Sequence, residues 1–464
     1  MTRLKHILKR IGMFALASFV VLLTVWTVLN IIFGIQLRHT IAELKRQGFH
    51  FSWEEIQPAK VPDEDNAAIP LRRAADMLGK WGMGNDLTSK NLYPNLNRLA
   101  EIVAKCSTNH PGGMDIETWP AAVRAELPQL VESKEMDELY GYVSKAAERK
   151  RMKLGIKYSD GINALLPNIG GFRQILRCLA VKAQVENGAG KTDQAFETLL
   201  IAQKAVAHMD AEPCLICHLV RRACDRIVID TVQRIANNAG CSEELAKNYM
   251  AEISKSLARQ TREKCIDMEI YMMATVFEGM LSLDEKIIRE FPVNGKKSII
   301  PYKSFFFTLR PLLKKDFCFY LSKSARTRKY FTAPYYEVAA DIKRMYDEKI
   351  PKSYFLSQNL YFRCGSMLKI SACDDAKVEV CRTGLALQIY KMRHGKYPDK
   401  LEQLAPDILP AVPADPLTGK SLVYKPEGEG FLLYSVGANL ADDHGDETWD
   451  ADAMPRDIVW RCPR

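Results

Sequence analysis

The stretch Cys214-Leu215-Ile216-Cys217-His218 reads CLICH and has the form C-x-x-C-H. That spacing is the usual attachment site for a c-type haem, in which His218 would ligate the iron. What the stretch can do depends on its face of the helix. Cys217, Val220, Cys224 and Ile227 recur at 3-4-3 spacing and form one apolar stripe, which makes Cys217 a core position. His218 shares its face with Arg221, Arg222 and Asp225, and Cys214 falls on that side. A haem ligand needs an apolar, shaped pocket, and a face carrying two arginines and an aspartate is a poor start for one. One core cysteine beside a solvated Cys–His pair is therefore expected. A c-type cytochrome using Cys214, Cys217 and His218 is the alternative.

A second group of reactive side chains lies near the C-terminus. Asn439, Asp442, Asp443, Asp446, Glu447, Asp450, Asp452 and Asp457 crowd one stretch, against a single Arg456. So many carboxylates repel one another, and a divalent cation would relieve that. Calcium takes roughly six to eight hard oxygens from carboxylates, amides and backbone carbonyls. A solvated acidic loop that holds nothing specific is the competing reading.

Other chemistry is thinly represented. Gly188 to Thr192 reads GAGKT, but a phosphate-binding loop needs a further glycine where Val185 stands, and it follows a strand. Here the segment joins two helical patterns, so it reads as a helix turn. H-E-x-x-H, G-x-S-x-G, G-x-G-x-x-G and paired C-x-x-C are absent from the sequence. Glu54-Glu55 and Glu243-Glu244 are adjacent pairs that suit helix capping better than acid–base work. No catalytic residue is nominated. A hydrolase whose site is assembled from distant residues is a further alternative.

The elements that position these residues begin with a membrane signal. Ile11 to Ile35 runs without a charge, long enough to cross a bilayer as a helix. No small-x-small cleavage site follows it. Arg3, Lys5, Lys9 and Arg10 precede it, which favours a cytoplasmic N-terminus. The expectation is a cytoplasmic tail over 1–10, a transmembrane signal anchor over 11–36, and the rest outside. Trp26 lies too deep in the run to anchor at an interface. The net charge of +9 is spread along the 464 residues with no arginine-rich block, so nucleic acid is not expected as a partner. Twelve cysteines in an exported chain could pair, but their irregular spacing leaves connectivity open, as it leaves free buried thiols.

Residues 37–365 read as a helical ectodomain. DEDNAA, from Asp63, offers Asp and Asn caps before an apolar repeat. Two helices flank GAGKT with Thr192 capping the second, a third starts near Pro213, and Ser242 caps a fourth. The succession suggests antiparallel hairpins in the style of tetratricopeptide arrays, without a clean period. Residues 291–360 are aromatic and basic. They read as an irregular helix pair over the core, with prolines 301 and 311 as breaks and the membrane surface as the alternative location.

Residues 366–464 change in texture. DDAKVEV opens a helix whose stripe is Val378, Cys381, Leu385, Ile389 and Met392, stopped at Gly395. KSLVY and FLLYSV read as strands joined by KPEGEG, and a last strand starts at Asp457. The order Tyr390, Gly395, Tyr397, Pro398, then Pro413, Asp415, Pro416, Gly419, then Tyr434 to Gly437, then Asp457, Ile458 and Trp460 resembles the C-terminal part of the major pseudopilins of type II secretion. The likeness covers about residues 374–460. The whole chain is also similar to an uncharacterised family of single-anchor bacterial envelope proteins, through DEDNAA and Ser435 to Asp443. The resemblance implies a helix on a small antiparallel sheet. It also implies calcium held by Asn439, Asp442, Asp443, Asp446 and Asp457, with Asn439 replacing an aspartate of the pattern. The chain departs from pseudopilins in lacking a prepilin cleavage signature and in placing more than 300 residues between anchor and sheet, so assembly into a pilus is not expected.

The fold expected is mainly α: a transmembrane helix, an antiparallel, tetratricopeptide-like helical ectodomain and a small α+β pseudopilin-like unit. The function expected is that of an interaction or scaffold protein of the bacterial inner membrane. It is single-pass with its bulk periplasmic, and its partners are other envelope proteins.

Overall fold

A computed structural model describes residues 2–79, 92–109, 114–238, 240–257, 260–285, 287, 302–361, 365–449 and 454–463. The chain is mainly helical, with one three-stranded antiparallel sheet among the described residues.

Helix α1 (Thr2–Arg46) is a single 45-residue rod. Its apolar window is wholly unburied, and Ile11, Phe14, Phe19, Leu22 and Ile31 point outward. Ten residues beyond the expected end of the anchor, the same helix is still running. There its character changes, and Leu37 and Leu44 are buried against protein. A helix that is apolar on all sides and then amphipathic is built for two solvents in succession.

Short α2 (Trp53–Ile56) leads to α3 (Ala68–Met77), α4 (Pro94–Asn109), α5 (Ala121–Val131) and α6 (Lys134–Ala147). Asn66 does more than cap α3. Its Oδ1 accepts from Ala68 N at 3.0 Å and from Lys153 N at 2.9 Å, and its amide donates to Lys153 O, tying the helix start to a distant segment. Then come α7 (Gly170–Gly188), α8 (Thr192–Ala207), α9 (Leu215–Asn238) and α10 (Glu243–Ser254). GAGKT is the turn between α7 and α8, with Gly190 at φ 77° and Lys191 N donating to Glu186 O at 2.9 Å. Thr192 is the first helical residue instead of the cap, and its hydroxyl bridges the turn to Asn187. Ser242 stands at the α10 cap position, where Asp193 of α8 takes its N–H.

The next layer comprises α11 (Gln260–Ser282), α12 (Tyr302–Thr308), α13 (Arg310–Thr332), α14 (Tyr335–Asp347) and α15 (Phe355–Leu360). Pro311 starts α13 instead of breaking it, because the missing N–H costs nothing in a first turn. Pro301 lies outside the described residues. α13 packs along both α1 and α11.

The last helix, α16 (Gly365–His394), begins about nine residues before the expected start at Asp374. Val378, Cys381, Leu385 and Ile389 are buried as the stripe predicts, while Met392 is exposed. Strands β1 (Val423–Glu427), β2 (Gly430–Val436) and β3 (Asp457–Cys462) pair in the order β1-β2-β3. The hairpin turn is Gly428-Glu429, with Glu427 opposite Gly430 and Gly428 at φ 57°.

Side chains of the sheet unit brace it internally and against the helices. Asp415 Oδ1 accepts from Leu417 N and from the Ser435 hydroxyl, both at 2.8 Å. The Tyr424 hydroxyl donates to Pro398 O at 2.7 Å. Trp460 lies on Gly384 of α16, where a Cβ would come within 2.0 Å of the indole. Its Nε1 donates to Asn237 of α9 at 2.7 Å.

Two apolar clusters result. The larger joins residues from Ala67 to Ile253 with Ala372 to Cys462, so the sheet unit shares one core with the helices before it. The smaller joins Leu37, Leu44 and Phe49 of the α1 region with α11, α13 and the start of α16. Helices α9, α11 and α16 contribute to both.

Candidate functional site

The acidic loop leaves β2 at Gly437, which lies so close to Arg456 that a Cβ would meet its carbonyl oxygen at 1.6 Å. Only glycine allows that approach, which pins the loop's two ends together. Inside the loop each carboxylate has a different setting. Asp442 accepts from the Tyr434 hydroxyl at 2.8 Å and from His444 N at 2.9 Å, and these bonds hold its carboxyl below the usual range. Asp446 is lowered by the Thr448 backbone and hydroxyl. Asn439 donates to Asp443 Oδ2 at 2.7 Å. Arg456 lies 3.7 Å from Asp443 and 3.8 Å from Asp446.

Asp457 is different. It is the first residue of β3 and only 1% exposed. Its Oδ2 accepts from Gly445 N at 2.7 Å, while Oδ1 is buried and finds no hydrogen-bond partner among the described residues. Burial pushes its carboxyl up, partly offset by the N–H groups of Gly445, Asp443 and Gly437, and the Asp443 charge adds to the rise. Asn439, Asp443 and Asp457 are thus brought together, while Asp442 and Asp446 are engaged elsewhere. Asp450 and Asp452 lie outside the described residues. Among the described residues, no three His, Cys, Asp or Glu side chains converge as a ready-made metal site. A cation here would draw on Asp457, Asp443, the Asn439 amide and loop carbonyls.

CLICH sits elsewhere, and not as its helical face suggests. The expected solvated Cys–His pair is inside the protein. Cys214, Cys217 and His218 are all buried, His218 at 3% exposure. The reason is the position of α9, which is covered by α7, α8, α11 and α16. Cys214 precedes its first turn, and its carbonyl accepts from His218 N at 3.0 Å. The Cys214 thiol takes hydrogen bonds from Cys217 and from the N–H groups of Cys217 and Ile216, which pull its pKa down. The same pairing, with burial, pushes Cys217 up. Glu269 of α11 accepts from Leu215 N at this helix start, yet burial pushes its carboxyl up to about 7. The eleven described cysteines are buried free thiols.

The polar face behind His218 belongs to a buried ion network that sequence reasoning missed. Arg221 pairs with Asp225 and lies 3.3 Å from Asp210, and Gln203 donates to Asp225 at 2.6 Å. Arg222 donates to Asp375 at 2.8 Å and to Ser256 O at 3.2 Å. Arg262 of α11 takes the other Asp375 oxygen. Arg226 lies 3.5 Å from Asp374. Four arginines thus face four aspartates where the two apolar clusters meet. His218 finds no hydrogen-bond partner among the described residues for either ring nitrogen, and burial beside Arg222, Arg262 and Arg221 holds its pKa well below the ordinary value. Such a group stays neutral and does not serve as a proton donor near neutral pH. The Arg221–Asp225 spacing is the one local signal that could have disclosed the network.

No family model, curated protein or solved structure matches the chain.

Proposed function

We propose that the chain is a scaffold of the bacterial inner membrane, held by α1 with its N-terminus cytoplasmic and its bulk periplasmic. On this reading the helical body is a rigid platform. It offers the pseudopilin-like unit and its acidic loop to other envelope proteins, and calcium stabilises the loop. The observation that carries the anchor is α1 itself. No residue of its apolar window is buried in the protein, yet the same helix continues into the folded core. The observation that favours calcium is the buried Asp457 Oδ1, unpartnered among the described residues, near Asp443 and its partner Asn439. An orphaned buried carboxylate oxygen is costly unless something pairs with it. The absence of sequence signatures for hydrolytic or nucleotide chemistry agrees with a non-catalytic role.

Alkaline washing of membranes from cells expressing the full chain tests the anchor. The chain should remain with the lipid after peripheral proteins are released. Recovery in the wash supernatant would overturn the reading.

A further inference from the structure

We infer that residues 302–315 form a second membrane contact, lying in the outer boundary of the same bilayer that α1 crosses. The inference rests on reading α1 as a membrane span. The segment reads YKSFFFTLRPLLKK, with no acid in it; of its four cations Lys303 pairs with Glu285 at 2.7 Å and Arg310 donates to Leu281 O at 3.1 Å, which leaves Lys314 and Lys315 nearest the anchor. It is fastened to the outer part of the anchor. Trp26 Nε1 donates to Thr308 O at 2.9 Å, and its ring lies 5.0 Å from that of Phe307. Lys314 Nζ donates to Asn30 O at 3.1 Å, and Lys315 lies over the Phe33 ring at 5.8 Å. Trp26, expected from its depth to have no anchoring part, is the point where the segment docks.

These contacts fix depth. A hydrocarbon layer takes about 20 helical residues; counted from Ile11 that ends near Asn30, which leaves the last turn of the 11–36 anchor at headgroup level. Trp26 then lies about 6 Å inside the boundary at 1.5 Å rise per residue. Thr308 and Phe307 lie at that level, and Lys314 lies at the edge. Water therefore does not cover this face. Phe307 and Leu312 are 46% and 47% exposed, and Val28, Ile31, Ile32 and Ile35 are exposed on the other side of α1 over the same stretch of the helix. Anchor and segment thus both expose apolar side chains at this level. Its chemistry is that of an interfacial helix, with apolar side chains for acyl chains and cations for anionic headgroups. The occupant is lipid, since a soluble partner would have to share this level with the bilayer.

The test uses the full chain reconstituted in phosphatidylcholine–phosphatidylglycerol vesicles. An environment-sensitive fluorophore is placed at Leu312→Cys, Val28→Cys or Leu440→Cys, all exposed positions, in a Cys364→Ser background whose eleven described native cysteines are buried. Lipids brominated in the acyl chain quench any probe within the hydrocarbon. Quenching at 312 close to that at 28, with none at 440, is the expected result. Quenching at 28 but not at 312 overturns the second contact and leaves the span standing. No quenching at 28 overturns the span itself, and the inference with it.

Discussion

The two apolar clusters share three helices but are filled by different side chains. The distal cluster is packed mainly with Leu, Val, Ile and Ala, and closes at points such as Gly384 under Trp460. The cluster nearest the anchor draws much more on Phe and Tyr, with Phe277 and Phe317 stacked at 4.7 Å. Cations lie over its rings, Arg328 on Phe49 at 4.6 Å and Lys323 on Tyr361 at 5.3 Å. Small side chains let helices approach closely and define one packing. Large amphipathic ones supply area with a polar rim, which suits a layer beside a membrane. The difference teaches that the body is one platform of two textures, joined by buried charge.

That junction is where the largest effect is expected. Asp375→Ala would strand Arg222 and Arg262 and should cost roughly 3–5 kcal/mol. Chemical denaturation should then resolve two transitions instead of one, because the two clusters lose their shared tie. Phe317→Ala should cost about 3–5 kcal/mol but act on the anchor-side cluster alone, leaving the near-ultraviolet signal of Trp460 intact at mild denaturant. Gly384→Ala is the reciprocal change. Its new methyl meets the Trp460 ring, and overpacking of this kind costs about 1–3 kcal/mol, confined to the distal cluster.

Calcium should sharpen the contrast further. A ligand at a hundredfold excess over its dissociation constant stabilises by about 2.7 kcal/mol. Thermal unfolding of the full chain should show calcium, and not magnesium, raising the melting temperature, and in Asp375→Ala raising the distal transition. Asp457→Asn should abolish that rise. The smallest effect concerns pH. Glu269 has a folded pKa raised from 4.5 to about 7, so the folded state binds its proton more tightly than the unfolded state. Its contribution is fully present below about pH 4.5 and is lost as pH rises through about 7. Glu269→Gln should therefore raise the melting temperature at pH 8 relative to wild type, with little gain at pH 4.5.

How far the sequence disclosed this architecture varied with the physics involved. Signals carried by neighbours along the chain were readable, among them the charge-free run of α1, the GAGKT helix turn and the apolar run FLLYSV of β2. The stripe on α16 was readable for the same reason. The burial of His218, Arg221 and Arg222 was not. A face with two arginines reads as solvated only if nothing distant neutralises it, and here Asp374 and Asp375 arrive from more than 140 residues away. The acidic loop was legible as a charge cluster. That Asp457 turns inward while Asp442 turns to Tyr434 depends on β3 pairing with β2, which no local spacing encodes. The contact of Trp26 with Thr308 was not readable either, because the two are remote in sequence.

The platform must stand on the outer side of the inner membrane for any of this to matter to envelope partners. Protease added to cells whose outer membrane has been opened, but whose inner membrane is sealed, tests that side directly. The expected result is loss of the body beyond residue 46, with an N-terminal fragment containing α1 left in the membrane. Full protection of the chain until the inner membrane is broken would contradict it.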